Sequence, residues 1–404
     1  MNAFVWWNGK GADMAKMQQS YVRQEMVQDL PPPPASSGFV GWARRSLFSS
    51  ISNSILTIVA ALFVVWAGYH LFHFFILDAV FVAEDGSACK LKPGACWAFI
   101  WDRMDFFIYG FFPKDPYWAS TDIFFVSAFM EYWRINVLFV IGLALLVPLL
   151  IPSVPGKLIN ALLFFIPFPI LVIVLLNGGW FGLELVPTEK WGGLTVTLII
   201  GLVGIVASLP IGIVLALGRQ SKLPAIKTLC VVFIEIWRAV PLITVLFMAS
   251  VMLPLFVPEN MTIDKLLRAL IGVALFNSAY MAEVVRGGLQ ALPRGQYEAA
   301  SALGLNYWKS MGFIILPQAL KHVIPGIVNT FIALFKDTSL VAIVGIFDLL
   351  RTVQNAAGND LNWGAPTTSV TGYIFAAAMF WVFCFSMSRY SMFMERRLET
   401  GHKR

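Results

Sequence analysis

The sequence predicts an all-α polytopic membrane protein of about eight transmembrane helices, and three observations carry that class. Apolar residues make up 58% of the 404-residue chain and charged residues 13%, where a soluble domain carries about a quarter charged. Several stretches with little or no charge run past about twenty residues, the length a helix needs to cross roughly 30 Å of hydrocarbon. The two-residue alternation of a membrane barrel is absent, so helices must satisfy the backbone in lipid.

Residues 1–50 are polar and contain PPPPASSG (31–38), a stiff tether in an expected cytoplasmic tail. Met14, Met17, Tyr21 and Met26 have the spacing of a weak amphipathic helix before it. Residues 51–190 are expected to hold three helices, at about 55–77, 133–151 and 158–177, with a large periplasmic loop at 78–132. Residues 191–397 are expected to hold five more, at about 192–218, 226–256, 266–287, 323–346 and 371–393, before a tail at 398–404. Positive charge near span ends sets the orientation. Arg44 and Arg45, then Arg219, Lys222 and Lys227, then Arg396, Arg397, Lys403 and Arg404 all fall on one side, which is therefore the cytoplasm.

The acid-rich 78–132 loop then lies outside. Within it, ACWAFIWDRMDFFIYGFFP (95–113) is aromatic enough to suggest a ninth span. Asp102, Arg103 and Asp105 at its middle would each cost a few kcal/mol in lipid, and a ninth span would put the basic loops outside. The expectation is an interfacial helix on the outer surface. Cys89 and Cys96 share this loop and are a candidate disulfide in an oxidising periplasm. Cys230 and Cys384 lie inside spans as ordinary core residues, and the four cysteines have no metal-site spacing.

The net charge of +6 comes from short clusters between apolar segments, without an aromatic-interleaved basic face, so nucleic acid is not an expected partner. A phosphate-binding G-x-x-x-x-G-K-[ST] loop is missing: Lys309-Ser310 has Trp308 and Leu303 where the glycines belong. G-x-S-x-G and H-E-x-x-H are missing too, and His70 and His73 read as interface anchors.

Between the sixth and seventh spans lies a hydrophilic loop, 288–322, expected in the cytoplasm. Glu298 to Leu303 has helix-forming composition, Gly304 can take a left-handed turn, and Tyr307 to Leu316 resumes a helix. Pro317 is expected to end or kink it. The small residues Ala299, Ala300 and Ala302 would let another surface approach closely. Glu298-Ala299-Ala300, three residues, Gly304, nine residues, Ile314, one residue and Leu316-Pro317 resemble the EAA loop in permease subunits of ATP-binding-cassette (ABC) importers. In that family the loop is a coupling helix docked on a separate P-loop ATPase. WRAVPLITVLF (237–247), NSAYMAEVVRGGLQALPRGQYEAASALGL (277–305) and FKDTSLVAIVGIFDLL (335–350) resemble the polar amino-acid permeases (the His/Glu/Gln/Arg group). The family more often has a glycine-threonine pair where this chain reads WRAVPL.

The resemblance implies a five-helix type I importer core in the C-terminal half, with coupling through Glu298, Ala299, Ala300, Gly304, Leu316 and Pro317. It also implies an ATPase dimer holding ATP and Mg, a second homologous permease, a periplasmic substrate-binding protein, and no cofactor in this chain. The long N-terminal half is similar to the M-type subunit of general L-amino-acid transporters, and a dedicated heterodimer partner is expected over a homodimer.

Ionisable groups at membrane depth are costly, so each one is a candidate site. Glu235 with Arg238, and Glu283 with Arg286, have the three-residue spacing of ion pairs at the cytoplasmic ends of their helices. Gly287, Gly288 and Pro293 are expected to let the chain leave the membrane. Lys336, Asp337, Thr338 and Ser339 interrupt an apolar run, which suggests a broken helix and a substrate pathway or gate, joined by Asn277 and Tyr280. An ion-gradient carrier would often show repeated halves, and a membrane-embedded enzyme would need clustered catalytic groups; neither pattern is present.

Overall fold

The computed structural model describes residues 38–115, 129–256, 258 and 263–398. The weak helix expected around residues 14–26 and nearly all of the tether lie outside these residues, as does most of the 398–404 tail. Contacts divide the chain into two units, Met1–Phe72 and His73–Arg404.

In the first unit, α1 (Gly38–Ser46) precedes α2 (Ile51–Phe72). The Thr57 hydroxyl donates to the Leu47 carbonyl at 2.8 Å, closing the connection between them. No side chain of α2 is buried. A helix that is apolar all round and unpacked is one that faces lipid. With the π turn at His73–Leu77 it forms a 27-residue span.

The second unit begins with a small module: α3 (Ser87–Leu91), α4 (Trp97–Asp102) and α5 (Met104–Tyr109). Its membrane helices are α6 (Trp133–Leu150), α7 (Lys157–Asn177), α8 (Gly193–Arg219), α9 (Pro224–Ala239), α10 (Leu242–Phe256) and α11 (Lys265–Ala291). A hairpin of α12 (Arg294–Ala302) and α13 follows, then α14 (Ile324–Asp337), α15 (Leu349–Asn359) and α16 (Pro366–Leu398). Helix α13 runs as Tyr307–Ser310, a π turn at Met311–Ile315, and Leu316–His322. Seven described helices are long and apolar enough to span a membrane, or eight when the bent pair α9–α10 counts as one.

That pair covers the fifth span expected at about 226–256 and bends by 101° between Ala239 and Leu242. Pro241 has no N–H and drives Val240 into extended backbone, φ −100° and ψ 135°, so the helix must stop there. Helices α8 and α11 form the central pair. A Cβ on Gly212 would come within 2.7 Å of the Met281 Cβ, so glycine sets this approach. We call the hairpin side of the bundle the near end. The far end holds Gly193, paired through its backbone with Asp348.

The segment 95–113 does not form one continuous span. It breaks at Arg103 into α4 and α5, which bury Phe99, Ile100 and Phe107 in a cluster with Leu349, Val353 and Trp363 at the far end. Its charges find protein partners: Trp363 Nε1 donates to Asp102 at 2.9 Å, and Arg103 pairs with Asp360 at 2.5 Å. Cys89 and Cys96 are joined in a disulfide inside this cluster, both buried.

Candidate functional site

The hairpin begins where α11 ends, at Leu292 and Pro293 in extended backbone. The Gly287-Gly288 pair does not release the chain, because both residues continue α11. Gly288 instead sits against α13, where a Cβ would meet the Ala319 carbonyl at 2.6 Å. Helix α12 stops in a Schellman motif: the Leu305 N–H donates to the Ala300 carbonyl at 3.2 Å and the Gly304 N–H to Ser301 at 3.0 Å. Gly304 has φ +70°, which glycine adopts without the Cβ penalty of other residues. Asn306 then caps α13, its side chain accepting from the Lys309 N–H at 2.9 Å.

Pro317 does not end α13, which continues to His322. The π turn at Met311–Ile315 lies directly before it. This wider turn accommodates a ring that would otherwise press on the carbonyl of Phe313. Gln318 reaches back to Gln296 at 3.1 Å, and the Tyr297 hydroxyl donates to the Leu289 carbonyl at 3.1 Å. Burial raises the pKa of that phenol above its ordinary value.

The inner side of the hairpin is anchored and the outer side is bare. Ala300, Met311, Ile315 and Ala319 are buried with Met281, Val285, Leu289 and Ile234. Ala300 therefore faces the bundle, and of the three expected small contact residues only Ala299 and Ala302 are exposed. Leu303, Trp308 and Phe313 are 75%, 74% and 79% exposed, with Tyr307 packed edge-on to Trp308. Exposed apolar side chains of this kind on a polar loop are the signature of a surface that contacts another protein or a membrane.

Behind the hairpin lies an ionic cluster on three helices. Glu283 accepts from Arg286 on the same helix at 2.7 and 2.9 Å and from Arg219 of α8 at 2.8 Å. Arg219 also binds Glu235 of α9 at 2.9 Å. Glu235 is thus paired with Arg219 and not with Arg238. Arg238 lies 4.0 Å from Glu283 and stacks over the Tyr280 ring at 5.6 Å. Sequence reading missed Arg219 as a member, since it stands at the end of its helix among residues that simply look like a basic loop.

Helix α14 does change character at Thr338, passing from α to 3-10 up to Val344. The two hydroxyls there are satisfied locally: Thr338 donates to the Phe335 carbonyl at 2.7 Å and Ser339 to the Lys336 carbonyl at 2.9 Å. Asn277 is buried and donates to Val273, one turn earlier, at 2.9 Å. Among the described residues no hydrogen bond joins Asn277 or Tyr280 to the 336–339 segment. Tyr280 belongs with Arg238 at the ionic cluster.

Residues 208–400 match the sequence model of the family described as binding-protein-dependent transport system inner membrane component. The inner membrane amino-acid ABC transporter permease protein YhdY of Escherichia coli is 52% identical over 92% of this chain and 97% of its own length. The chain is an amino-acid ABC transporter permease. A second long relative is the glutamate/glutamine/aspartate/asparagine transport system permease protein BztC of Rhodobacter capsulatus. It is 41% identical, over 95% of this chain and 99% of its own length. The L-cystine transport system permease protein TcyB of Bacillus subtilis is shorter: 31% identical, it matches 54% of this permease and 91% of itself. The permease is accordingly a multi-pass inner-membrane protein that translocates amino acids as part of an ABC importer.

Proposed function

We propose that the permease moves L-amino acids of broad range inward, with no chemistry of its own, driven by ATP hydrolysis in a separate P-loop ATPase dimer. The hairpin is the coupling element, and the exposed Leu303, Tyr307, Trp308 and Phe313 surface is what the ATPase covers. This patch is the observation that carries the reading: it is apolar, it stands on a polar loop, and its inner side is locked to α11 and α9. Displacement of the hairpin would therefore load the helix bundle. ATP and Mg belong to the partner, and a second permease of similar sequence completes the membrane assembly.

The near end is cytoplasmic on this reading, with both termini inside. Arg219, Lys222 and Lys227 lie on that side, as do Arg396 and Arg397 at the end of α16. The far end, with the disulfide-bonded module, faces the periplasm and receives substrate from a soluble binding protein.

The deciding experiment is gentle purification through a C-terminal tag. Recovery of a P-loop ATPase and a second permease is expected, and Trp308→Glu should lose the ATPase while keeping the permease pair. Purification of the chain alone, with transport intact, would remove the coupling role.

A further inference from the structure

The far end contains a preformed notch of about 550 Å³, open to solvent. Arg103 and Phe106 of the module form one wall; Asn355 and Asn359 of α15, with Asp360 and Asn362 after it, form the other. Small-molecule sites are mostly enclosed and apolar, with few polar groups. This notch is open and lined by three carboxamides, each of which can both donate to and accept from a polypeptide backbone. That composition is closer to the polar part of a protein interface.

Its charge selects further. Asp102 and Asp360 share Arg103, at 3.4 and 2.5 Å, so the three groups together carry one uncompensated negative charge. The walls are already fixed: the Gly86 N–H donates to the Asn362 carbonyl at 2.8 Å, Trp363 holds Asp102 at 2.9 Å, and the Cys89–Cys96 disulfide lies behind. Fixed walls reduce the ordering cost of docking.

The notch is also mechanically placed. Helix α15 is joined to the start of α8 by the Gly193 N–H on the Phe347 carbonyl at 2.9 Å and by the Leu349 N–H on Thr197 Oγ1 at 2.9 Å. The other end of α8 is Arg219, in the ionic cluster behind the hairpin. One helix, α8, is thus bonded at its start to the beginning of α15, whose later residues line the notch, and at its end to the hairpin's support. Arg103 and Phe106 lie outside residues 208–400, the family match, whereas Asn355 to Asn362 lie inside it.

We propose that this notch is the docking site for a loop of the soluble amino-acid-binding protein, a loop that inserts a basic side chain toward Asp360 and bonds its backbone to the asparagine amides. The inference rests on the importer reading and gives the extra N-terminal module a role: it supplies one wall of the receiving surface.

The test uses the complete transporter in lipid nanodiscs. ATP hydrolysis is followed against the concentration of the amino-acid-binding protein that supports transport with this chain, loaded with L-glutamine. Asn355→Trp, which fills the notch, and Asp360→Asn, which removes its excess charge, should each raise the half-maximal concentration at least tenfold. A photo-crosslinking residue at Asn359 should form an adduct with the binding protein, and one at the exposed Phe181 should not. Half-maximal concentrations within twofold of the parent, or no adduct at 359, would overturn the docking site. Equal stimulation by free L-glutamine, lost in Asn355→Trp, would make the notch a small-molecule site and overturn it as well. A parent complex that does not respond to the binding protein at all would overturn the importer reading first.

Discussion

Gly304 shows how much a single φ angle can carry. At φ +70° any residue with a Cβ takes on about 1–2 kcal/mol of strain. Because no atom crowds the position, strain is the whole effect. Gly304→Val should therefore leave the membrane bundle folded and loosen the α12–α13 turn. Co-purification of the ATPase should fall severalfold at constant permease yield, and unchanged recovery would show that the turn tolerates the strain. Glu283 and Glu235 make a second comparison. Glu283 is 16% exposed and serves two arginines, whereas Glu235 is 54% exposed and serves one. Glu283→Ala should cost about 2 kcal/mol and Glu235→Ala less than about 1 kcal/mol, read as thermal stability in detergent. Equal losses would mean that the cluster does not centre on Glu283.

At the scale of elements, the start of α15 is pH-sensitive. Asp348 caps this helix, accepting from the Leu350 and Arg351 N–H groups at 3.1 and 3.0 Å, yet it is fully buried, and desolvation raises its pKa to about 6. The folded state then holds a proton that the unfolded chain, titrating near 3.8, has released. Its contribution to stability is complete below about pH 4 and is lost as pH rises through about 6, by at most about 3 kcal/mol. Asp348→Asn keeps a good cap and should flatten this part of the stability profile between pH 4.5 and 7.5; an unaltered slope would place the titration elsewhere. The disulfide belongs to the same far-end cluster. Cys89→Ser should lower the stability of the module by about 2–3 kcal/mol, since it frees a short loop of the unfolded chain. Proteolysis within 78–113 should then quicken before any cut in the bundle.

At the scale of the whole molecule, the permease offers two connected ends and a bundle in which three of the candidate polar side chains bond within their own helices. Thr338, Ser339 and Asn277 each bond backward along the chain. A bundle of this kind suits broad passage, with selection made before substrate enters it. Exchanging the binding protein while keeping this chain should therefore change which L-amino acids enter vesicles. An unchanged substrate range would locate selectivity in the bundle, with Lys336 and Asp337 as the first residues to substitute.

Much of this was legible in the linear chain because it rests on local or one-dimensional physics. Length and apolarity mark the spans, and composition fixes the helical class. The helix–turn–helix of the EAA hairpin was readable because helix-forming composition and the left-handed turn at Gly304 act within a few residues of one another, whereas the course of the chain through Pro317 was not. What tertiary structure alone decided is what depends on helices meeting. Arg219 takes Glu235 away from Arg238 because the end of α8 reaches α9, and the helix bends by 101° at Pro241. The 95–113 segment buries Phe99 and Phe107 in a cluster with Trp363, and its Asp102 and Arg103 find a hydrogen bond and an ion pair with Trp363 and Asp360, more than 250 positions later. Spacing along a chain specifies which face a side chain occupies; which partner it meets there is set by how the helices pack.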